Sequence, residues 1–203
     1  MSWSGRITAA VVVASFTAVP GAAQGIHPRF GLGGGLTAPV GDFHGTAGGQ
    51  GFNTALHGLV LFAFKLPILP VGFRIDASYG TNGANDALKD TLTNRFGQPS
   101  DEKTKLAGAS VDVTYQSSSA ARVKPYAIGG VGMYHTTIST NTSGSTADRG
   151  ATKAAWNLGG GVTLALRGVT LFFEARYVNV AAVSGFPRTT FLPFTTGVRF
   201  GGP

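Results

Sequence analysis

Two stretches of the chain repeat one alternating pattern, and this pattern restricts the fold more than any other feature. In Val71-Gly72-Phe73-Arg74-Ile75-Asp76-Ala77-Ser78-Tyr79 every second residue is apolar or aromatic, and Gly, Arg, Asp and Ser lie between them. Val169-Thr170-Leu171-Phe172-Phe173-Glu174-Ala175-Arg176-Tyr177 nearly repeats it. A period of two is that of a β-strand with one apolar and one polar face. The charges flank the middle of each strand, and the apolar faces end in Tyr, a residue favoured at a membrane–water boundary. The pattern points to strands whose apolar side meets lipid and whose charges meet one another inside a closed barrel.

The first residues read as a secretory signal. Arg6 precedes an apolar run from Ile7 to Val19, too short to span a bilayer as a helix. Pro20-Gly21-Ala22-Ala23 offers small residues for cleavage after Ala23. The expected organisation is a signal peptide over 1–23 and one barrel domain over 24–203. No later run is long and apolar enough for a transmembrane helix, so a membrane-embedded reading requires a closed barrel. Charged residues make up only 12% of the chain while Gly contributes 31 positions, which suits a barrel better than a solvated globule. The absence of Cys excludes disulfides, thiolate metal sites and a cysteine nucleophile. The net charge of +7 is scattered without a basic run, which argues against nucleic-acid binding and fits contact with anionic headgroups or lipopolysaccharide phosphates.

Eight strands are expected: 29–40, 52–65, 71–79, 106–116, 123–138, 155–167, 169–180 and 189–200. Apolar faces are marked by Leu56, Val60, Phe62 and Phe64 on the second, Tyr126, Ile128 and Tyr134 on the fifth, and Leu192, Phe194, Val198 and Phe200 on the eighth. The period is loose in the fifth, where Gly129, Gly130 and Gly132 allow a bulge. Short connections (67–70, 117–122, 167–168) alternate with long polar ones (41–51, 80–105, 139–153, 181–188). Outer-membrane barrels show this asymmetry, with short periplasmic turns and long outer loops. Within the longest loop, Leu88 and Leu92 stand at helical spacing, compatible with a short helix or with disorder. A soluble lipocalin-type barrel would turn the apolar face inward. Its outer face would then carry Gly72, Ser78, Gly108, Gly159 and Gly161, a weakly solvated surface. Those small residues suit the crowded inside of a narrow barrel.

Lys124-Pro125-Tyr126-Ala127-Ile128-Gly129-Gly130-Val131-Gly132, Leu158-Gly159-Gly160-Gly161-Val162 and Glu174-Ala175-Arg176-Tyr177 resemble the OmpA/OmpX-like outer-membrane β-barrel domains. The resemblance implies an all-β, eight-stranded antiparallel up-and-down transmembrane barrel in a Gram-negative-type outer membrane. It implies roles in envelope integrity, adhesion or host contact, and carries over no catalytic residue or cofactor. It also implies handling by the outer-membrane assembly machinery, which reads a terminal aromatic residue; here Phe200 is followed by Gly201-Gly202-Pro203.

Strand parity sends Arg74, Asp76, Asp112, Glu174 and Arg176 inward, together with Arg199 and Arg29. Isolated charges are costly inside a barrel, so these are expected to pair as an interior polar network. The three carboxylates could be read as catalytic, but a lumen-filling salt-bridge network is the simpler expectation. His27, His44, His57 and His135 lack the spacing of a metal cluster on one strand. His135, with Thr137 and Ser139 alternating behind it, is the best candidate for an acyl-hydrolase site at the lipid face, though no acidic partner is evident. The Gly-rich runs open no helix and lack the Lys-Ser/Thr pair of a phosphate loop. The leading expectation is therefore a monomeric, non-enzymatic outer-membrane barrel with a filled lumen. Its partners would be lipid, lipopolysaccharide and surface ligands met through loops. The alternatives are a lipid-modifying enzyme and a soluble periplasmic ligand-binding barrel.

Overall fold

The computed structural model describes residues 28–45, 51–65, 71–117 and 121–201. The signal segment with its cleavage site, His27, the whole 67–70 turn and residues 118–120 of the 117–122 turn lie outside these residues. Eight antiparallel strands close into one barrel: β1 (Arg29–Val40), β2 (Ala55–Lys65), β3 (Val71–Gly83), β4 (Ser100–Gln116), β5 (Val123–Thr142), β6 (Ser145–Ala165), β7 (Val169–Val180) and β8 (Thr189–Phe200). Closure is made by β1, which pairs with β2 on one side and β8 on the other, Phe30 opposite both Phe62 and Phe200. Full closure leaves no lipid-exposed ladder edge, the condition for a sheet to cross a membrane.

The faces sort as the strand period requires. Outward positions carry large, exposed apolar residues such as Ile75, Val111, Leu158, Phe173 and Phe194, while Arg74, Asp112 and Glu174 between them are buried. Outward aromatics gather near both ends of the barrel wall. Phe30, Phe64, Phe73, Tyr115 and Phe200 lie toward the end with short turns. Trp156 and Tyr177, with ring centroids 5.5 Å apart, lie toward the loop end with Tyr79. An apolar band between two aromatic girdles is the outer surface of a transmembrane barrel.

Strand β5 departs from expectation. Tyr126 and Ile128 are 7% and 1% exposed and face the lumen, whereas Val131 and Met133 face outward at 66% and 61%. Pro125, Ala127 and Gly129 leave the outward face little apolar contrast, so the aromatic residues mark the wrong side. The loop end also differs. The expected 139–153 loop is a continuation of β5 and β6 paired to Thr142↔Ser145, closed by Ser143 and Gly144 at positive φ. β4 likewise begins at Ser100, six residues before the expected start. Between Ser145 and Lys153, β6 pairs with β5 alone, so this part of the hairpin stands clear of β7. Leu88 and Leu92 lie in a helix, α1 (Asp86–Phe96). The Asn85 side chain caps it by accepting from Leu88 N at 2.9 Å, and Gly97 ends it in the left-handed conformation, φ 66°.

Candidate functional site

The barrel interior holds the chemistry. Arg74 and Asp76 on β3, Asp112 on β4, and Glu174 and Arg176 on β7 converge in one buried network. Arg74 Nε donates to Asp76 Oδ1 at 2.6 Å, and its Nη1 and Nη2 donate to the two oxygens of Glu174 at 2.6 and 3.3 Å. Arg176 Nε donates to Glu174 Oε1 at 2.6 Å, its Nη2 to Asp76 Oδ2, and its Nη1 to Asp112 Oδ2 at 3.2 Å. Both arginines thus use planar forks to bind carboxylates from several strands, a geometry lysine does not reproduce.

Neutral side chains occupy the remaining lone pairs. Ser110 Oγ and Asn157 Nδ2 donate to Asp112 at 2.8 and 2.6 Å, and Tyr126 OH donates to Glu174 Oε2 at 2.6 Å. Three carboxylates face two guanidiniums, leaving one formal negative charge. Arg199 stands apart from the ion pairs but donates to Tyr126 Oη at 3.3 Å, and its guanidinium lies 4.8 Å from the Phe172 ring centroid. Its positive charge offsets the excess through the tyrosine. Arg29 lies outside the cluster, at the turn end of β1.

Glycine makes room for the network. Across the ladders Asp112 faces Gly130, Arg176 faces Gly159 and Glu174 faces Gly161. A Cβ on Gly159 would lie 2.7 Å from Arg176 Cα, and one on Gly130 would strike the Asp112 carboxylate. The long charged groups fill the lumen because their cross-strand partners have no side chain.

Above the network, toward the loops, lies a cavity of about 40 Å³ bordered by Asp76, Glu174 and Arg176 below and by Leu106, Val178 and Phe191 above. His57 spans part of it, sharing hydrogen bonds with Thr37 Oγ1 at 3.1 Å and Thr195 Oγ1 at 2.9 Å. The space suits about three waters. A buried apolar cluster of Phe43, Phe52, Leu106, Val178, Val180 and Phe191 covers it. Phe43 and Phe52 come from the β1–β2 loop, which folds back over the mouth. Their rings are 5.1 Å apart, and Phe43 lies 6.5 Å from Phe191. Asn82 ties that loop down by donating to Asn53 O at 2.7 Å. The lumen is therefore blocked twice, by charge at mid-height and by aromatic packing at the loop end.

His135 faces outward, and Thr152 Oγ1 lies 3.0 Å from its Nδ1. Among the described residues no carboxylate accepts from it, and no group of three His, Asp or Glu side chains gathers to hold a metal ion.

The contribution of Tyr126, Ser110 and Asn157 escaped the sequence reading, because a neutral group facing a charge leaves no mark in the pattern. Phe43 and Phe52 did leave one: they are the aromatic residues of a loop otherwise rich in Gly and polar residues.

Comparison with solved structures returns the same architecture. Neisserial surface protein A is 16% identical, with a TM-score of 0.53, covering 86% of this chain and 96% of that one. A major outer membrane protein from Thermus thermophilus is 10% identical, with a TM-score of 0.60, covering 87% and 99%. At these identities the likeness is one of fold. No curated protein sequence matches the chain. Residues 9–200, nearly the whole length, match the outer membrane protein beta-barrel domain. An eight-stranded closed barrel, an apolar outer band and this match agree, and the chain belongs to the outer membrane protein β-barrel domain family.

Proposed function

We propose that the protein is a non-conducting, non-enzymatic barrel that supports the cell envelope and presents its loop end for surface contacts. The observation that carries this reading is the doubly blocked lumen. The ion pairs Arg74–Glu174 and Arg176–Asp112 lie across the interior, and Phe43, Phe52 and Phe191 pack over them. A chain that transports no solute through its centre must act through its surfaces. The loop end offers two ordered ones: the helix α1 and the β5–β6 hairpin, whose β6 edge from Ser145 to Thr152 is open to strand addition. The interior carboxylates act as structural anchors of the wall, not as acids or bases. The protein is exported by its leading segment and works as a monomer, with lipopolysaccharide, the assembly machinery and surface ligands as partners.

The test has two arms. In planar bilayers the parent barrel passes little or no current, and a large steady conductance would sink the reading. In detergent the folded barrel runs faster on an unheated gel than after boiling. The intact barrel is then screened for binding to envelope and host-surface components. A form with the hairpin tip shortened at Asn141–Thr146 folds equally well but loses the contact. Binding unaltered by that change, and by disruption of α1, would assign the contact elsewhere.

A further inference from the structure

The turn end of the barrel carries a cluster of positive charge that, among the described residues, makes no ion pair with the interior network; Arg199 reaches it through Tyr126. Arg29 on β1, Lys65 on β2, Lys124 on β5 and Arg199 on β8 all occupy lumen-facing parity positions near that mouth. Arg29, Lys65 and Arg199 border one pocket together with Thr114, Gln116 and Tyr126. Arg29, Lys124 and Arg199 each act on the Lys65 ammonium by charge repulsion. Among the described residues none of the four forms an ion pair. Nor does the sequence hold a carboxylate side chain that could come from the turns. There is no Asp or Glu before Asp42, between Asp42 and Asp76, between Asp112 and Asp148, or after Glu174.

Arg199 supplies an independent observation. It is 8% exposed, borders the pocket, and has a buried Nε without a hydrogen-bond partner among the described residues. A buried guanidinium with an unused donor, beside three further cations, is under-satisfied. Among the described residues Lys65 donates to a neutral acceptor, Gln116 Oε1, at 3.3 Å. A cleft lined by one sign of charge within low-dielectric walls concentrates counter-ions. Guanidinium forks beside ammonium groups are suited to a tetrahedral oxyanion.

We infer that the turn-end mouth of the lumen is an anion site for a phosphate group, held by Arg29, Lys65, Lys124 and Arg199. The cations point into the lumen, not toward the outer wall. A phosphate-bearing solute of the periplasm reaches them directly, whereas a lipid headgroup must fold over the rim. The phosphate chemistry is the same in both cases.

The test uses the full barrel folded in maltoside micelles, which contain no phosphate. Inorganic phosphate, titrated at constant ionic strength against chloride, is expected to bind saturably, to shift the side-chain resonances of Lys65 and Lys124, and to raise the unfolding temperature. Arg29→Gln with Lys65→Gln lowers phosphate affinity at least about tenfold, as expected when charge-assisted bonds are lost. Arg149→Gln, at the opposite end, leaves it unchanged. These two positions are chosen because Arg199→Gln also disturbs packing on Phe172 and Tyr126. A parallel arm places the barrel in phosphatidylglycerol nanodiscs without free phosphate. Shifts of Lys65 and Lys124 there, with the Lys124 shift lost in the double variant, assign the phosphate to a headgroup. The inference is overturned if phosphate acts no differently from chloride and the nanodiscs leave both lysines unshifted. It is equally overturned if Arg149→Gln weakens binding as much as the double variant.

Discussion

Gly161 lies directly across the β6–β7 ladder from Glu174, and a Cβ placed on it would come within 2.8 Å of the Tyr126 hydroxyl that donates to that carboxylate. A side chain at 161 therefore strikes the Phe173 carbonyl oxygen and pushes on the tyrosine, and through it on the acceptor of both arginines. Gly161→Ala is expected to destabilise the barrel by about 1–3 kcal/mol, the usual result of overpacking. Reversible unfolding in lipid vesicles measures it. Gly58→Ala, where an added Cβ meets nothing within 4 Å, is the control and should be near neutral.

Glu174 accepts from Arg74, Arg176 and Tyr126. Glu174→Ala leaves two buried guanidiniums short of a partner. The expected loss is about 3–5 kcal/mol, as for breaking a buried ion pair from one side. Brief current openings should appear in planar bilayers where the parent stays silent. A variant as stable and as silent as the parent would show that the network is dispensable.

Phe173 is the outward neighbour of Glu174 and is half exposed on the apolar wall. Phe173→Arg is expected to cost about 2–4 kcal/mol if it sits near the bilayer midplane. Thr170→Ser, on the lumen side of the same strand, should be tolerated. Equal costs in vesicle unfolding would mean that the outer face does not meet lipid.

The cap over the loop-end mouth depends on Phe43, which is fully buried against Phe52 and Phe191. Phe43→Ala is expected to lose about 3–5 kcal/mol of local packing free energy. Amide exchange should rise in the β1–β2 loop and around His57, while the exchange of Glu174 and its neighbours on β7 stays slow. Uniform loosening of the whole barrel would contradict a cap that packs independently of the network.

Over Phe173–Tyr177 of β7 the inward and outward sets were legible from residue type alone. Glu174 and Arg176 alternate with Phe173, Ala175 and Tyr177, and a period of two permits only one sorting of such unlike groups. The closed eight-stranded architecture followed from repeating that logic along the chain. The β5–β6 hairpin was not legible, because Thr, Ser and Asn on both faces give no contrast for a period to show. The direction of Tyr126 was decided by tertiary structure. Its ring is apolar enough for the wall, yet its hydroxyl finds Glu174 and Arg199, partners brought by strands about 50 and 70 residues further along the chain. The folding back of Phe43 and Phe52 over the mouth was decided the same way, since a loop aromatic is buried only when a fitting hole exists in three dimensions. By itself the sequence determined that eight strands form and that the mid-strand charges of β3, β4 and β7 point inward, because those depend on local alternation. Which carboxylate meets which arginine, what fills the gaps between them, and what closes the mouth depend on the register and curvature of eight strands at once, and these exist only in the closed barrel.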